Sequence, residues 1–187
     1  MKRFNRVQLE TFLTAVDRRT PKKFKVVILG GAAAVLSFGA KSTMDIDTAT
    51  AVSYLRQAYE TARQETGLPI PFALATVITA PSGYQSRLKR LHLPGLQNLA
   101  VYLLEKHDWA LSKINRLEDK DMEHLKAAHK TVKFDVKILE SRLQSEMSHV
   151  HPRERLEIHF LAVIAELFGE REAARIQQAL QRRHRPR

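Results

Sequence analysis

Apolar positions change their period along this chain, and each change marks an element. In residues 4–18, Leu9, Phe12, Leu13 and Val16 recur at helical spacing, with Phe4 and Val7 less well aligned, which predicts an amphipathic helix. Pro21 closes that segment. Phe24–Leu29 is a short, mostly apolar run with a β-branched centre, followed by two glycines, the pattern of a central strand buried on both faces. Gly31–Phe38 fits two helical turns with Gly39 as a C-terminal stop, and Met44–Thr48 reads as a second strand. Ala49–Gly67 reads as a helix with Val52, Leu55, Ala58 and Tyr59 inward and Gly67 as its terminator. Pro69 and Pro71 lead stiffly into a third strand near Phe72–Ile78, and Leu99–Leu104 fits a fourth. Between those two, residues 79–95 hold two prolines, two glycines and the basic cluster Arg87, Lys89 and Arg90, which reads as a loop lined with positive charge.

From Glu105 the period becomes helical almost without interruption. Trp109, Leu111, Ile114 and Leu117 mark one helix, a second begins near Asp119, and Val132–Met147 is a third with Phe134, Ile138 and Leu143. Pro152 opens another with the stripe Leu156, Phe160, Val163, Ile164 and Leu167. Gly169 breaks it, and Glu170–Arg182 precedes a basic tail, Arg182–Arg187. The predicted class is α/β: a small mixed-sheet core with an N-terminal helix over residues 1–105, then a C-terminal helical module over 106–187.

Composition narrows the classes. The 44% hydrophobic content is ordinary for a globular chain of 187 residues and allows a sizeable core. Lys and Arg total 31 against 20 acidic residues, a formal charge of +11, and a field of that sign attracts nucleic acid, nucleotide phosphates or anionic lipid. No cysteine is present, which excludes disulfides and thiolate metal sites. The first 23 residues are basic and amphipathic with no continuous apolar core, unlike a signal peptide, and no window reaches the ~20 apolar residues of a membrane span. The expectation is a cytoplasmic protein with no membrane partner. The eight histidines show no paired zinc spacing, His149-Val-His151 being the nearest approach to one.

The candidate chemistry lies between residues 25 and 47. Asp45 and Asp47 are two apart, so on a strand both carboxylates face one way, about 6–7 Å apart, while Ile46 points into the packed face. Two carboxylates so held can share one or two hard divalent cations, and Mg²⁺ prefers such groups together with substrate phosphates. Gly30 and Gly31 lack Cβ atoms and let backbone N–H groups approach a phosphate at a helix N-terminus. Ser42 and Thr43 can donate hydroxyl hydrogen bonds to the same phosphates, and Lys41 adds charge. A Gly-Gly after a strand is usually a tight turn and an Asp-x-Asp usually a solvated strand end; their occurrence in order, strand, turn, short helix and carboxylate strand, is the stronger signal.

This segment resembles the first motif of the nucleotidyltransferase fold of the polymerase-β-like superfamily: an apolar strand, a glycine pair, about a dozen residues, then Asp-x-Asp. Here thirteen residues lie between Gly30-Gly31 and Asp45-Ile46-Asp47. The later stretch His107–Asp121 resembles a second signature, that of the AbiE-type abortive-infection toxins and their bacterial relatives: a helical lysine followed by an arginine and an aspartate. The two matches together span roughly residues 24–125. The resemblance implies that Asp45 and Asp47 bind the metal, Mg²⁺ or Mn²⁺, and act in catalysis with Lys113 and Asp121. It also implies that Lys113 and Arg116, with Gly30, Gly31, Ser42 and Thr43, hold the nucleotide. Many relatives place a third carboxylate on a later strand, but Phe72–Ile78 contains none, so that role falls to Asp121, Asp108 or Asp119, or the site has two carboxylates. His124 stands where a further aspartate would be sought. Read without the resemblance, Lys113 is a solvated or snorkelling lysine, and Asp119 and Asp121 are N-terminal helix caps.

The implied function is transfer of an NMP from an NTP to an acceptor hydroxyl. RNA is the acceptor favoured by charge and the tRNA 3′ end the one favoured by the toxin likeness, with Arg87, Lys89, Arg90 and the tail on its backbone. A toxin would have a cognate antitoxin as partner. The alternative is a non-catalytic nucleic-acid-binding protein on a degenerate nucleotidyltransferase fold. A third reading makes residues 130–187 a helical interaction module.

Overall fold

The computed structural model describes residues 2–184, so that residues 185–187 of the expected basic tail lie outside the described residues. Two compact units divide the chain: one takes the residues up to Ile78 together with Tyr84–Glu105, the other Thr79–Gly83 together with the residues from Lys106 onward.

The first unit is built on a five-stranded mixed sheet. Helix α1 (Arg6–Arg19) begins at Asn5, where the Asn5 side chain accepts from the Gln8 amide and the Gln8 side chain accepts from the Asn5 amide, a reciprocal cap. Strand β1 (Phe24–Ile28) runs into α2 (Gly30–Ser37), and β2 (Ile46–Thr48) returns antiparallel beside β1. The helix expected over Ala49–Gly67 is narrower: a 3-10 turn at Ser53–Leu55 precedes α3 (Arg56–Thr66), which ends at Gly67 with φ +64°. Strand β3 (Phe72–Leu74) is shorter than its apolar run and pairs parallel with β2. The region read as a loop contains a second short turn, Tyr84–Arg87, and an edge strand, β4 (Lys89–Arg90), antiparallel to β5 (Leu99–Leu103). Strand order is β3-β2-β1-β5-β4, with β1 and β5 parallel.

Strand alternation sorts the sheet into two faces. On one, Val26, Ile28, Ile46, Phe72, Leu99, Val101 and Leu103 are buried, and α1 and α3 pack closely on each other, with Phe12, Val16 and Ala62 among their buried residues. Phe72 meets Phe12 and Tyr59 edge-on, with ring centroids 6.2 and 5.8 Å apart. The other face carries Lys25, Val27, Asp47, Ala73, Arg90, Ala100 and Tyr102, and among these Lys25, Ala73 and Arg90 are exposed. Central strand β1 is therefore buried on both faces only from Val26 onward.

One buried charge ties α1 to the sheet. Asp17, 2% exposed, accepts from the backbone N–H groups of Gln97 (3.0 Å), Asn98 (2.7 Å) and Leu99 (2.6 Å), where the chain enters β5. A carboxylate is needed because three donors converge there and no helix or strand ladder satisfies them all.

In the second unit α4 (Lys106–Arg116) packs against α5 (Asp119–Val132), α6 (Val136–Glu146) and α7 (Arg153–Phe168), and α8 (Glu170–His184) packs on α7. Trp109, Leu111 and Ile114 are fully buried. The third helix starts at Val136 rather than Val132, since Lys133 with φ +48° ends α5 and Asp135 caps the Lys137 amide at 2.8 Å. The first turn of α4 clamps that junction: Lys106 donates to the Val132 and Lys133 carbonyls, His107 Nε2 accepts from the Asp135 amide, and Asp108 pairs with Arg142 at 2.8 Å. Ser82 and Gly83 join this unit through their amides, which donate to the Glu146 carbonyl and carboxylate. Among the described residues no helix is long and apolar enough to cross a membrane.

Asp17→Ala is expected to lower stability by about 2–4 kcal/mol, since buried amides lose their acceptor. Asp17→Asn, which offers one acceptor oxygen, should recover part of that loss. Urea denaturation of the three proteins measures it, and equal midpoints would show that solvent replaces the carboxylate.

Candidate active site

The glycine turn and the carboxylate strand meet in the first unit. Leu29 N donates to Asp47 O at 2.8 Å and Ala49 N to Val27 O at 2.8 Å, which fixes β2 against the end of β1. At the next residue the chain turns through Gly30, φ +60°, directly into α2. A Cβ on Gly30 would lie 3.2 Å from Asp47 Oδ2 and 4.0 Å from Asp47 Cβ. The space a side chain would fill at residue 30 thus borders the carboxylate of Asp47, and the positive φ excludes most side chains in any case. Gly31, half-buried, occupies the first turn of α2.

Asp45 immediately precedes β2 and Asp47 stands at its middle, both half-buried. Ile46 between them is fully buried, so alternation puts the two carboxylates on the face away from the core. Thr43 is tied down by an antiparallel bridge to Phe4, with Phe4 N donating to Thr43 O at 2.7 Å and Thr43 N to Phe4 O at 3.0 Å. Its hydroxyl donates to the Asp45 carbonyl at 3.3 Å and lies 3.5 Å from Asp45 Oδ1, so it orients Asp45. Ser42 is half-buried and Lys41 exposed on the approach to the pair. On β3 the position registered with Asp47 is Ala73, which supplies no carboxylate. Among the described residues no group of three or more His, Cys, Asp or Glu side chains is placed to hold a metal ion.

Lys113, Arg116 and Asp121 come together in the second unit. Lys113 Nζ lies 2.8 Å from Asp121 Oδ1, and Arg116 donates through Nε to Oδ2 and through Nη2 to Oδ1, each at 2.9 Å. Asp121 Oδ2 also accepts from the Glu118 amide at 3.2 Å and closes a capping box at the start of α5. Burial alone pushes the Asp121 carboxyl up, but the hydrogen bonds from Arg116 and Lys113 outweigh it and hold the pKa at about 2. Burial also pushes the Lys113 ammonium below the usual lysine value, against the pull of Asp121. The alternatives for a third carboxylate, Asp108 and Asp119, are also in the second unit: Asp108 is buried on Arg142, and Asp119 is exposed at the start of α5.

Of the expected basic cluster, Arg90 is registered with Tyr102 and Lys89 with Leu103, so the two point to opposite sheet faces. Arg87 is half-buried in the short turn before them.

The profile of the family described as "Nucleotidyltransferase of unknown function (DUF6036)" matches residues 6–165. The chain belongs to this family. No curated protein and no solved structure matches it. The match covers α1 and most of the helical unit as well as the sheet, so family identity is not confined to the residues of the first motif. Two features of the site carried no sequence signal: the orienting role of Thr43, which needs the bridge to Phe4, and the presence of Lys25 on the sheet face of Asp47, which needs the pairing of β1 with β2 and β5.

Gly30→Ala is expected to cost about 2–3 kcal/mol, with strain at positive φ added to crowding of Asp47. Gly67→Ala, where φ is also positive but no atom lies within 4 Å of the added Cβ, should show the strain alone. In an Asp47→Ala background the Gly30→Ala cost should fall towards the Gly67→Ala value, and strict additivity in that double-mutant cycle would exclude the close approach.

Asp121→Asn is expected to destabilise the chain by about 3–5 kcal/mol near neutral pH, because Lys113 loses its buried partner. The Asp121 pKa is depressed in the fold, so its stabilisation is present above the ordinary carboxyl pKa of 3.8 and is lost as pH falls towards about 2. Melting curves of wild type and Asp121→Asn should therefore converge as the pH is lowered through that window. A constant gap would place the effect elsewhere.

Proposed function

We propose that the chain is a divalent-metal-dependent nucleotidyltransferase that moves an NMP from an NTP to an acceptor hydroxyl, with Asp45 and Asp47 at the reacting centre. The observation that supports this most is the closeness of the Asp47 carboxylate to the Gly30 turn, where a Cβ on residue 30 would lie 3.2 Å from Asp47 Oδ2, so that a backbone suited to phosphate and a side chain suited to a metal are neighbours. The donor set fits Mg²⁺ or Mn²⁺: hard carboxylate oxygens, few in number, with substrate phosphates and water to complete the shell. When bound, the metal neutralises phosphate charge and lowers the pKa of the attacking hydroxyl.

The chain's own residues have distinct tasks in this reading. The α2 N-terminus and the Gly30-Gly31 backbone bind phosphate oxygens. Thr43 holds Asp45 in orientation, and Ser42 and Lys41 flank the phosphates. The acceptor oxygen bonds to the α-phosphorus as the bond to the bridging oxygen breaks, pyrophosphate leaves, and the hydroxyl proton passes to a carboxylate of the pair or to water. Asp121 holds the Lys113 and Arg116 cations through hydrogen bonds of 2.8–2.9 Å, and this reading leaves the chemistry to Asp45 and Asp47. RNA is the acceptor favoured by the formal charge of +11, and a tRNA 3′ end is the one favoured by the likeness to the AbiE-type toxins. Action as a toxin with a cognate antitoxin belongs to the same reading.

The test is transfer of label from each NTP, radiolabelled at the α-phosphate, to total cellular RNA with Mg²⁺. A labelled RNA band that falls about 100-fold or more in Asp45→Ala/Asp47→Ala is expected. The melting temperature of that variant should be unchanged or slightly raised, because two like charges are removed. Equal transfer by the double variant would overturn the proposal. The uncharged Ala73 beside Asp47 favours a second reading, a scaffold that binds nucleic acid without catalysis. It predicts salt-sensitive RNA binding indifferent to Mg²⁺ and to both aspartates.

A further inference from the structure

The sheet face that carries Asp47 also carries an aromatic ring set between two cations. Tyr102 on β5 is registered with Val27 of β1 on one side and with Arg90 of β4 on the other. Registered neighbours stand on the same face with Cβ atoms about 5 Å apart. Lys25, diagonal to Tyr102 across the β1–β5 pair, places Nζ 4.7 Å from the ring centroid. Tyr102 is half-buried, while Lys25 and Arg90 are exposed. Among the described residues neither Lys25 nor Arg90 forms an ion pair. Asp47 stands on β2, on the far side of β1, about two strand spacings or 10 Å from β5.

We propose that Tyr102, Lys25 and Arg90 form the docking platform for the single-stranded end of a nucleic-acid acceptor, with a base stacked on Tyr102 and backbone phosphates on Lys25 and Arg90. The inference rests on the nucleotidyltransferase reading for the identity of the acceptor, but its geometry is independent of the metal and of the NTP. An aromatic platform between cations is the arrangement that binds single strands with little sequence preference, because every base has a stacking face and every linkage a phosphate. The charge is complementary to that ligand and to no acidic partner within the platform itself. Lys25 rests on the ring only through a cation–π contact, which at an exposed site is weaker than a stacked base. An incoming base therefore displaces the ammonium from the ring and frees it for a phosphate. The register also separates Arg90 from Lys89, which sequence alone grouped together, since Lys89 is paired with Leu103 on the opposite face.

The test is fluorescence anisotropy of the intact chain with a fluorescein-labelled 12-nucleotide single-stranded RNA, without NTP or metal. Tyr102→Ala is expected to weaken binding about 5- to 150-fold and Tyr102→Phe to leave it within about twofold. Lys25→Ala and Arg90→Ala should each weaken it and reduce the slope of log affinity against log salt by about one phosphate contact, whereas Lys89→Ala should have a smaller effect. A fully paired RNA of the same length should bind without dependence on Tyr102. Absence of binding by the wild type, indifference to Tyr102→Ala in a variant with native circular dichroism, or equal losses from Lys89→Ala and Arg90→Ala would each overturn the proposal. The two exposed cation variants keep it falsifiable should Tyr102→Ala not fold. Binding with this pattern but no nucleotide transfer would remove the catalytic reading and leave the platform; transfer that is intact in every platform variant would remove the platform alone.

Discussion

Everything in the first unit's site depends on the missing Cβ at residue 30. The backbone of Gly30 takes a positive φ, so β1 ends and α2 begins with no intervening loop, and the vacated volume borders the Asp47 carboxylate. A carboxylate beside the first turn of a helix is favoured by the partial positive charge of the unsatisfied amides, and those same amides are what a phosphate requires. The two demands compete, and in the proposed reading a divalent cation would relieve that competition.

The second unit places its charges by a different logic. Lys113 and Asp121 are nearly inaccessible, and Arg116 supplies a bidentate partner from a more exposed position. An unpaired charge in that setting would be costly, which explains why the carboxylate collects two cations and a backbone amide at once. The same cluster closes the turn between α4 and α5, as Lys106, His107 and Asp108 close the junction of α5 and α6. Helix α4 is thus held at both ends by its own polar residues, while Trp109, Leu111 and Ile114 fill the interior between them.

Sheet polarity links the two functional readings. Alternation gives one face to Val26, Ile28, Val101 and Phe72 and the other to Lys25, Asp47, Arg90 and Tyr102. A strand order of β3-β2-β1-β5-β4 then sets acidic and basic groups side by side on one surface, negative at β2 and positive from β1 to β4. Opposite signs so arranged would suit the proposed reaction, in which nucleotide and polyanionic acceptor must approach without mutual repulsion.

Much of this was legible in the sequence because it depends on local chemistry. Short apolar runs located β1 and β5, period-3.6 patterning located α1 and α7, and punctuation by Gly67, Pro152 and Gly169 located helix ends, since chain stiffness and φ preference act within a few residues. The order of Gly30-Gly31 and Asp45-x-Asp47 was likewise a one-dimensional signal. Where sequence reading fell short, partners distant in the chain were responsible. Lys89 and Arg90 form a strand only because β5 offers a free edge, and Val132–Asp135 breaks the helical run only because α4 clamps it. The Asp45-orienting hydrogen bond of Thr43 depends on the bridge to Phe4, thirty-nine residues earlier. The sequence by itself determined which residues could form strands, helices, caps and carboxylate pairs; only tertiary pairing decided which of them share a face, because register is set by contacts between segments and not by the order of residues within one.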